Sequence, residues 1–348
     1  MRQLTFVKPR VLEWHDVPRP RIAAATDAIV RPVAVARCDL DLYIATGAGT
    51  GGRVFAGPFA LGHEAIGVVT DAGDDAGLTP GDMVVVPFQL SCGRCDHCQR
   101  GFTNACSAYP PRAAFGLKPS SGTEFGGAVS EAMRVRFADH MLIKVPSGVD
   151  PLAIASLADN LPDAWRAVAP QLSAWPSASV LVVGGWAQSI GLYAAGLAVS
   201  LGAGEVLYLD DDPRRRLVAE KMGARAEPLA LSDRDASKKF EIVVDASGVQ
   251  EILRFAIAST AANGTLTAVS MYFGESTPLP LERMYAKSMI FTNTRIHARP
   301  LIPPVLAHCA AGHFHAETVT SRVVPFTQAP DGFFDSAPKV VFHNDWPT

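Results

Sequence analysis

The sequence predicts an α/β protein of two unlike halves, a mostly antiparallel β region followed by a doubly wound parallel sheet. Two textures predict it. Residues 1–150 fall into short β-type runs broken by Gly and Pro, whereas from about residue 151 strand-like and helix-like runs alternate. Alternation of that kind builds βαβ units on a parallel sheet. The length agrees with two domains: the chain has 348 residues, and a single core rarely grows beyond roughly 250–300 residues.

In the first half the β-type runs are AIVRPVAVA (28–36), EAIGVVTDAG (64–73), DMVVVPF (82–88) and DHMLIKVP (139–146). Loose alternation and frequent turn residues suit a compact antiparallel unit. The second half opens with PLAIASLADNLPDAWRAVAP, apolar at helical spacing, and runs on into SASVLVVGG. Then follow SIGLYAAGLAVSLGA as helix, EVLYLD as strand, PRRRLVAEKMGA as helix and FEIVVDASG as strand. VQEILRFAIASTAANG reads as a further helix and TLTAVSM as a strand. The last fifty or so residues, rich in Pro and His, lose this rhythm.

Composition narrows the partners. A net charge of -3 and pI near 6.3 give no basic field for nucleic acid or anionic lipid, so a small molecule is expected. The start, MRQLTFVKPRVLEW, has no apolar core of signal-peptide length. Nowhere is there a run of about 18 apolar residues, so no membrane partner is expected. The expected location is the cytoplasm, where thiols stay reduced.

That compartment gives the cysteines their meaning. CGRCDHCQRGFTNAC places Cys92, Cys95, Cys98 and Cys106 at metal-ligand spacing, since a CxxC turn presents two sulfurs to one side of an ion. Four thiolates fill a tetrahedral shell, so a zinc held here is structural. An iron–sulfur cluster is the other occupant that such a set permits. His97, inside the loop, reads as a solvated surface residue. Elsewhere, GHEAIG sets His63 and Glu64 between Gly62 and Gly67, where the backbone can bend tightly. An open catalytic zinc takes three ligands of Cys, His or carboxylate type, and Cys38, His63 and Asp159 would supply that set.

With these residues in place the chain resembles the zinc-containing medium-chain alcohol dehydrogenase family along essentially its whole length. RCDLD, GHEAIG, CGRCDHCQRGFTNAC, LADNLPDAW and VLVVGG…IGL occur in the family's order and spacing. The resemblance implies a GroES-like catalytic domain over 1–160 with a structural zinc lobe at about 90–108. It implies a Rossmann NAD-binding domain over 161–291, and a segment 292–348 that returns to the catalytic domain. Cys38 and His63 match the first two catalytic zinc ligands, Asp159 the third, and Glu64 the acid beside them. Phe88 and Trp165 match positions bordering the alcohol pocket, where ordinary core aromatics are the alternative. Two zinc ions per chain, reversible hydride transfer and a homodimer or homotetramer are implied in the same way. The related possibilities are a biosynthetic aldehyde or ketone reductase and a catalytically silent cofactor-binding relative.

In VLVVGGWAQSIG a strand runs into Gly184, Gly185, Ile190 and Gly191, with a helix pattern following. Glycines there let the backbone approach a pyrophosphate at a helix N-terminus. The fit to GxGxxG is imperfect: ending the motif at Gly191 puts Trp186 and Gln188 on glycine positions, so the turn must be longer or differently shaped. Asp210, nineteen residues beyond Gly191, is placed to bond the adenosine ribose and repel a 2′-phosphate. Asp211 and Asp212 deepen the repulsion, which favours NAD over NADP. Arg214, Arg215 and Arg216 are the possible phosphate binders, with a solvated helix turn as the alternative. Lys339 matches a basic residue that relatives place on the pyrophosphate, with a surface lysine as the alternative.

Departures from the family concern the proton. Relatives carry Ser or Thr two residues after the cysteine and often His five after, where this chain has Leu40 and Tyr43. Tyr43 is the first candidate for the relay, and Asp39 or Asp41 through water the second. Asp41 also matches an acid with a hydrogen-bonding role. Asp163 stands where relatives usually carry Thr, and its carboxylate must be paired or hydrated. In HCAAGHFH, His308, Cys309, His313 and His315 read as a helix end with exposed imidazoles rather than a metal site.

Overall fold

The structure is a computed structural model that describes residues 1–47, 55–229, 238–274 and 276–347. The chain forms two compact units, one of Met1–Pro162 with Ile296–Thr348, the other of Asp163–Arg295.

In the first unit the Ala28–Ala36 strand is the organising element. It pairs antiparallel with Glu64–Ala72, Val340–His343 and Met133–Val135. The sheet runs Arg322–Pro325, Val340–His343, Ala28–Ala36, Glu64–Ala72, Met83–Val86, Ile143–Lys144. Its register builds the site: Ala36 lies opposite both Glu64 and Val341. Because the pairs are antiparallel, the end of one strand meets the starts of the other two. Cys38, His63 and Lys339, just outside those strand ends, therefore fall at one edge of the sheet. Val30, Val35, Leu61, Val84, Val86 and Phe342 are fully buried beneath it. Each such side chain contributes roughly 1.5–3 kcal/mol by leaving water.

The second unit is a six-stranded parallel sheet. Its order is Arg225–Glu227, Glu205–Leu209, Ser179–Val183, Phe240–Asp245, Thr260–Ala268, Ile290–Asn293. In chain order this is 3-2-1-4-5-6, the doubly wound Rossmann arrangement. Val180, Leu181, Val182 and Val183 have no exposed area, as expected where helices cover both faces. Two stretches differ from the sequence reading: in the first unit DHMLIKVP holds a helical turn, Ala138–Met141, before the short strand Ile143–Lys144, and in the second a helix–strand boundary moves. The helix stops at Ser259, and Thr260 to Ala268 form the strand, so TAANG leaves the helix. Asn263 adopts a positive φ of 60° beside Gly264, and the strand register shifts there, a break that helical geometry cannot absorb.

Candidate metal centre and dinucleotide turn

The four-cysteine lobe is built locally. Its sulfurs lie within 4.8 Å of one another, and all the cysteines are free thiols. Gly93 turns the chain between the first two with φ 70°, and a Cβ there would meet the His140 ring at 2.4 Å. The amides of Arg94 and Cys95 point at Cys92 Sγ, at 3.4 and 3.3 Å. Amides of Cys98 and Ser107 hold the Cys95 thiol down to about 5, whereas burial pushes Cys98 and Cys106 up. Asn104 anchors the lobe by donating from Nδ2 to the Ile296 carbonyl at 3.1 Å. His97 is exposed and outside the sulfur cluster.

The second cluster gathers Cys38, His63, Glu64 and Asp159, with one donor atom from each within 4.8 Å of the others. Cys38 caps the Asp39–Thr46 helix, and its amide donates to Asp41 Oδ2 at 3.1 Å in a capping box. Asp41 serves twice: its other oxygen lies 3.1 Å from His63 Nδ1, with both side chains buried. That contact turns Nε2 toward Asp159, 3.3 Å away. Burial pulls the His63 imidazole down, but Asp41 and Asp159 outweigh it and leave it well above its usual range. Asp159 is set by the Ala155–Ala158 turn, whose last carbonyl accepts from the Phe88 amide at 3.3 Å. Glu64 has no exposed area; burial raises its carboxyl to about 7 against the pull of Lys339. Burial likewise pushes the Cys38 thiol up to about 12.

In the second unit four residues, Gly184 to Ala187, separate the Ser179–Val183 strand from the Gln188–Ser200 helix. Gly184 is tightly enclosed: a Cβ would sit 2.1 Å from Asp210 Oδ2, so that carboxylate would have to move. Gly185 has φ 152° and leaves 2.7 Å between its absent Cβ and Ser247 Cα. Gly191 lies on the helix against Ala246, a close helix–strand contact at 3.0 Å. Trp186 stacks edge-on against Phe273, centroids 5.4 Å apart.

Comparison with known proteins agrees with this geometry. Residues 24–147 match the alcohol dehydrogenase GroES-like domain and residues 189–309 the zinc-binding dehydrogenase domain. The alcohol dehydrogenase TADH from Thermus sp. ATN1 superposes with a TM-score of 0.89 at 30% identity, over 99% of this chain and 100% of that one. L-threonine 3-dehydrogenase of Streptomyces avermitilis is 30% identical over 74% of this chain and 72% of its own length. Zinc-type alcohol dehydrogenase B of Aspergillus flavus is 26% identical over 96% and 78%. The chain belongs to the zinc-containing medium-chain alcohol dehydrogenase family. It is therefore an oxidoreductase acting on CH–OH groups, with zinc and a nicotinamide nucleotide as its cofactors. No helix among its described residues is long and apolar enough to cross a membrane.

Several residues of this dehydrogenase fall where the sequence does not put them. The sequence offers Lys339 a phosphate or the surface. The structure removes the surface alternative: the side chain is fully buried, its Nζ donating to Glu64 Oε1 at 2.9 Å and to the Arg37 carbonyl at 3.1 Å. A lysine this deep is held by its pair, since an unpaired buried charge costs several kcal/mol. Asp210, expected to meet the ribose, already bonds Arg215 and Tyr208. Asp163 meets the need for a partner: its carboxylate lies 2.5 Å from Arg166 Nε, and Arg166 reaches on to the Thr294 carbonyl at 3.0 Å.

Other expectations place simply. Phe88 packs its ring 5.6 Å from that of His63. Tyr43 and Leu40 are half-buried on the Asp39–Thr46 helix, and Trp165 is half-buried on the Asn160–Ala174 helix. Ile190 is buried on the helix after the glycine turn. The His308 and His313 rings lie 5.3 Å apart, tilted by 48°, and His315 pairs with Glu317, but they join no three-donor cluster among the described residues. Asn160 is the residue that sequence reasoning misses: buried, with Oδ1 3.4 Å from Cys38 Sγ. Its adjacency to Asp159 is its only sequence signal.

Proposed function

We propose that this chain is a zinc-dependent, NAD-linked alcohol dehydrogenase that transfers hydride reversibly between an alcohol and the nicotinamide. The observation that carries the reading is the convergence of Cys38, His63 and Asp159, a thiol, an imidazole and a carboxylate within 4.8 Å. That donor set suits an open zinc with three protein ligands. Zinc so held supplies Lewis acidity that eases loss of the alcohol's proton, while the nicotinamide accepts the hydride. The chain's own residues do the rest. Asp41 orients His63, which fixes the nitrogen offered to the metal. Lys339 pairs with Glu64 and so tethers this acid beside the three ligands. Phe88 lies beside His63 and keeps that side of the site apolar.

Leu40 cannot carry a proton. Asp41 is committed to Cys38 and His63, which favours Tyr43 over Asp41 as the relay, its hydroxyl accepting the alcohol's proton as it passes its own on toward the cofactor ribose. Cys92, Cys95, Cys98 and Cys106 hold a second, structural zinc. Gly184 and Gly185 in the turn, with Ile190 and Gly191 on the helix that follows, form the dinucleotide site. A cytoplasmic homodimer or homotetramer completes the reading. Metal analysis together with absorbance at 340 nm over a panel of primary, secondary, cyclic and polyol alcohols tests it. About two zinc per chain with turnover supports the proposal. Two zinc and nucleotide binding without turnover on either alcohols or carbonyls would overturn it in favour of a silent relative.

A further inference from the structure

Arg37 stands between the Ala28–Ala36 strand and Cys38, and its long side chain is fully buried. Its amide donates to the Val340 carbonyl at 2.9 Å, which extends the pairing of Ala36 with Val341. Its carbonyl accepts from Lys339 Nζ at 3.1 Å. The guanidinium reaches residues just upstream of that lysine. Nη1 donates to the carbonyls of Phe333, at 3.0 Å, and Asp335, and Nη2 to that of Ala337 at 2.8 Å. Every one of these partners lies within residues 333–340. On the other side of the peptide bond the Cys38 amide donates to Asp41 Oδ2 at 3.1 Å. The planar unit that joins Arg37 to Cys38 is therefore held at its oxygen by Lys339 and at its N–H by Asp41.

A side chain that only filled this space would need no charge. Among the described residues no carboxylate hydrogen-bonds the guanidinium, and its Nε is buried without an acceptor. Asp39, Asp41 and Asp335 act on it through space. A buried cation with carbonyl partners and one idle N–H costs more than an apolar side chain of the same length. What the rigid fork adds is the gathering of three carbonyls from one loop. Two residues after the last of them comes Lys339, which also donates to Glu64 Oε1 at 2.9 Å. The chain of contacts closes on itself: guanidinium, loop, Lys339, then the Arg37 carbonyl and Glu64.

We propose that Arg37 is a positioning residue for the metal cluster. Its guanidinium sets the 333–337 loop, the loop places Lys339, and Lys339 holds both the Cys38 peptide and Glu64. The cluster's affinity for its metal then depends on a segment from the far end of the chain. This inference rests on the metal reading of Cys38, His63 and Asp159, but not on the alcohol or its proton path.

The test is zinc affinity by competition with a chromogenic chelator, on the whole chain with neither alcohol nor dinucleotide present. Asp159→Ala, which keeps the cysteine lobe alone, supplies the lobe's affinity as a reference. Arg37→Met, similar in length but without donors, should weaken the cluster's zinc by about ten- to a hundredfold and leave the lobe's unchanged. Arg37→Lys keeps the charge without the fork and should fall between. Asp335 shapes the loop, its Oδ1 accepting from the Ala337 amide at 2.8 Å. Asp335→Ala leaves the Arg37 side chain in place and should still weaken the cluster's zinc, by about threefold or more. Thermal melts check each fold, and if Arg37→Met does not fold the other two variants decide. A lowered melting temperature with cluster affinity unchanged makes Arg37 a peg for the C-terminal segment and overturns the inference, as does an equal loss at both sites. A wild type that binds zinc in the lobe alone overturns the metal reading and the inference with it.

Discussion

Two clusters in the first unit each bring four donor atoms within 4.8 Å, yet they are built on opposite plans. The cysteine lobe takes all its donors from residues 92–106, and backbone amides do most of the supporting. The other cluster draws on residues 38, 63, 64 and 159, and three of these have a further side chain against them. Asp41 faces His63, Lys339 pairs with Glu64, and Asn160 lies against Cys38. A metal that only folds a loop needs ligands and little else. One that must react needs a ligand set left incomplete, and the set must be held from behind so that it neither collapses nor closes.

The contrast breaks most visibly when each site loses one ligand. Asp159→Ala should lower turnover by about a thousandfold or more while the melting temperature moves by only a few degrees. Cys106→Ser should do the reverse in kind: the melting temperature falls by more than about 10 °C because metal binding there is folding free energy. Both variants should lose about one metal equivalent by elemental analysis. A Cys106→Ser protein that melts like wild type would make the two sites equivalent and dissolve the distinction.

Supports should matter less than ligands, and unequally. Tyr43→Phe removes the proposed relay hydroxyl and should cost about a hundredfold in kcat, with a changed pH–rate profile and unchanged metal content. Turnover and profile identical to wild type would eliminate Tyr43. Asp41→Asn keeps the shape but not the charge behind His63. Metal affinity, measured by chelator competition, should weaken by about ten- to a hundredfold. An unchanged affinity would mean that His63 needs no such backing, and the difference between the clusters would shrink to ligand type alone.

How much of this was legible in the sequence follows from the same difference. The lobe is written in CxxCxxC spacing and is readable by itself, because chain neighbours are space neighbours. The second cluster is readable only as a pattern of separated residues, since its geometry comes from the strand register that sets Ala36 opposite Glu64 and Val341. Lys339 and Asn160 escape because their roles depend on burial and on partners far along the chain. Asp210 shows another limit. Its position after a strand was legible, but Arg215, five residues on, changes what the carboxylate can do, and the turn from the strand end into the Pro213–Lys221 helix makes that pairing. The two-domain fold was legible from texture. The TAANG stretch was not, because one residue at positive φ turned an apparent helix into strand.

The smallest expected effect bears on whether the lobe is as self-sufficient as its spacing implies. His97 sits among the four cysteines and carries a soft donor, so a mixed ligand set is the natural rival to four sulfurs. Its side chain is exposed and lies outside the cluster, while its backbone carbonyl accepts from the Phe102 amide at 2.7 Å. What His97 contributes is therefore main chain, which a side-chain change leaves in place. His97→Ala should retain full metal content and change stability by no more than about 0.5 kcal/mol, the range of ordinary surface substitutions. Elemental analysis and a thermal melt decide it. Loss of a metal equivalent would put an imidazole in the shell and leave one of the four thiols outside, and a site of that kind would no longer be closed by sulfur alone.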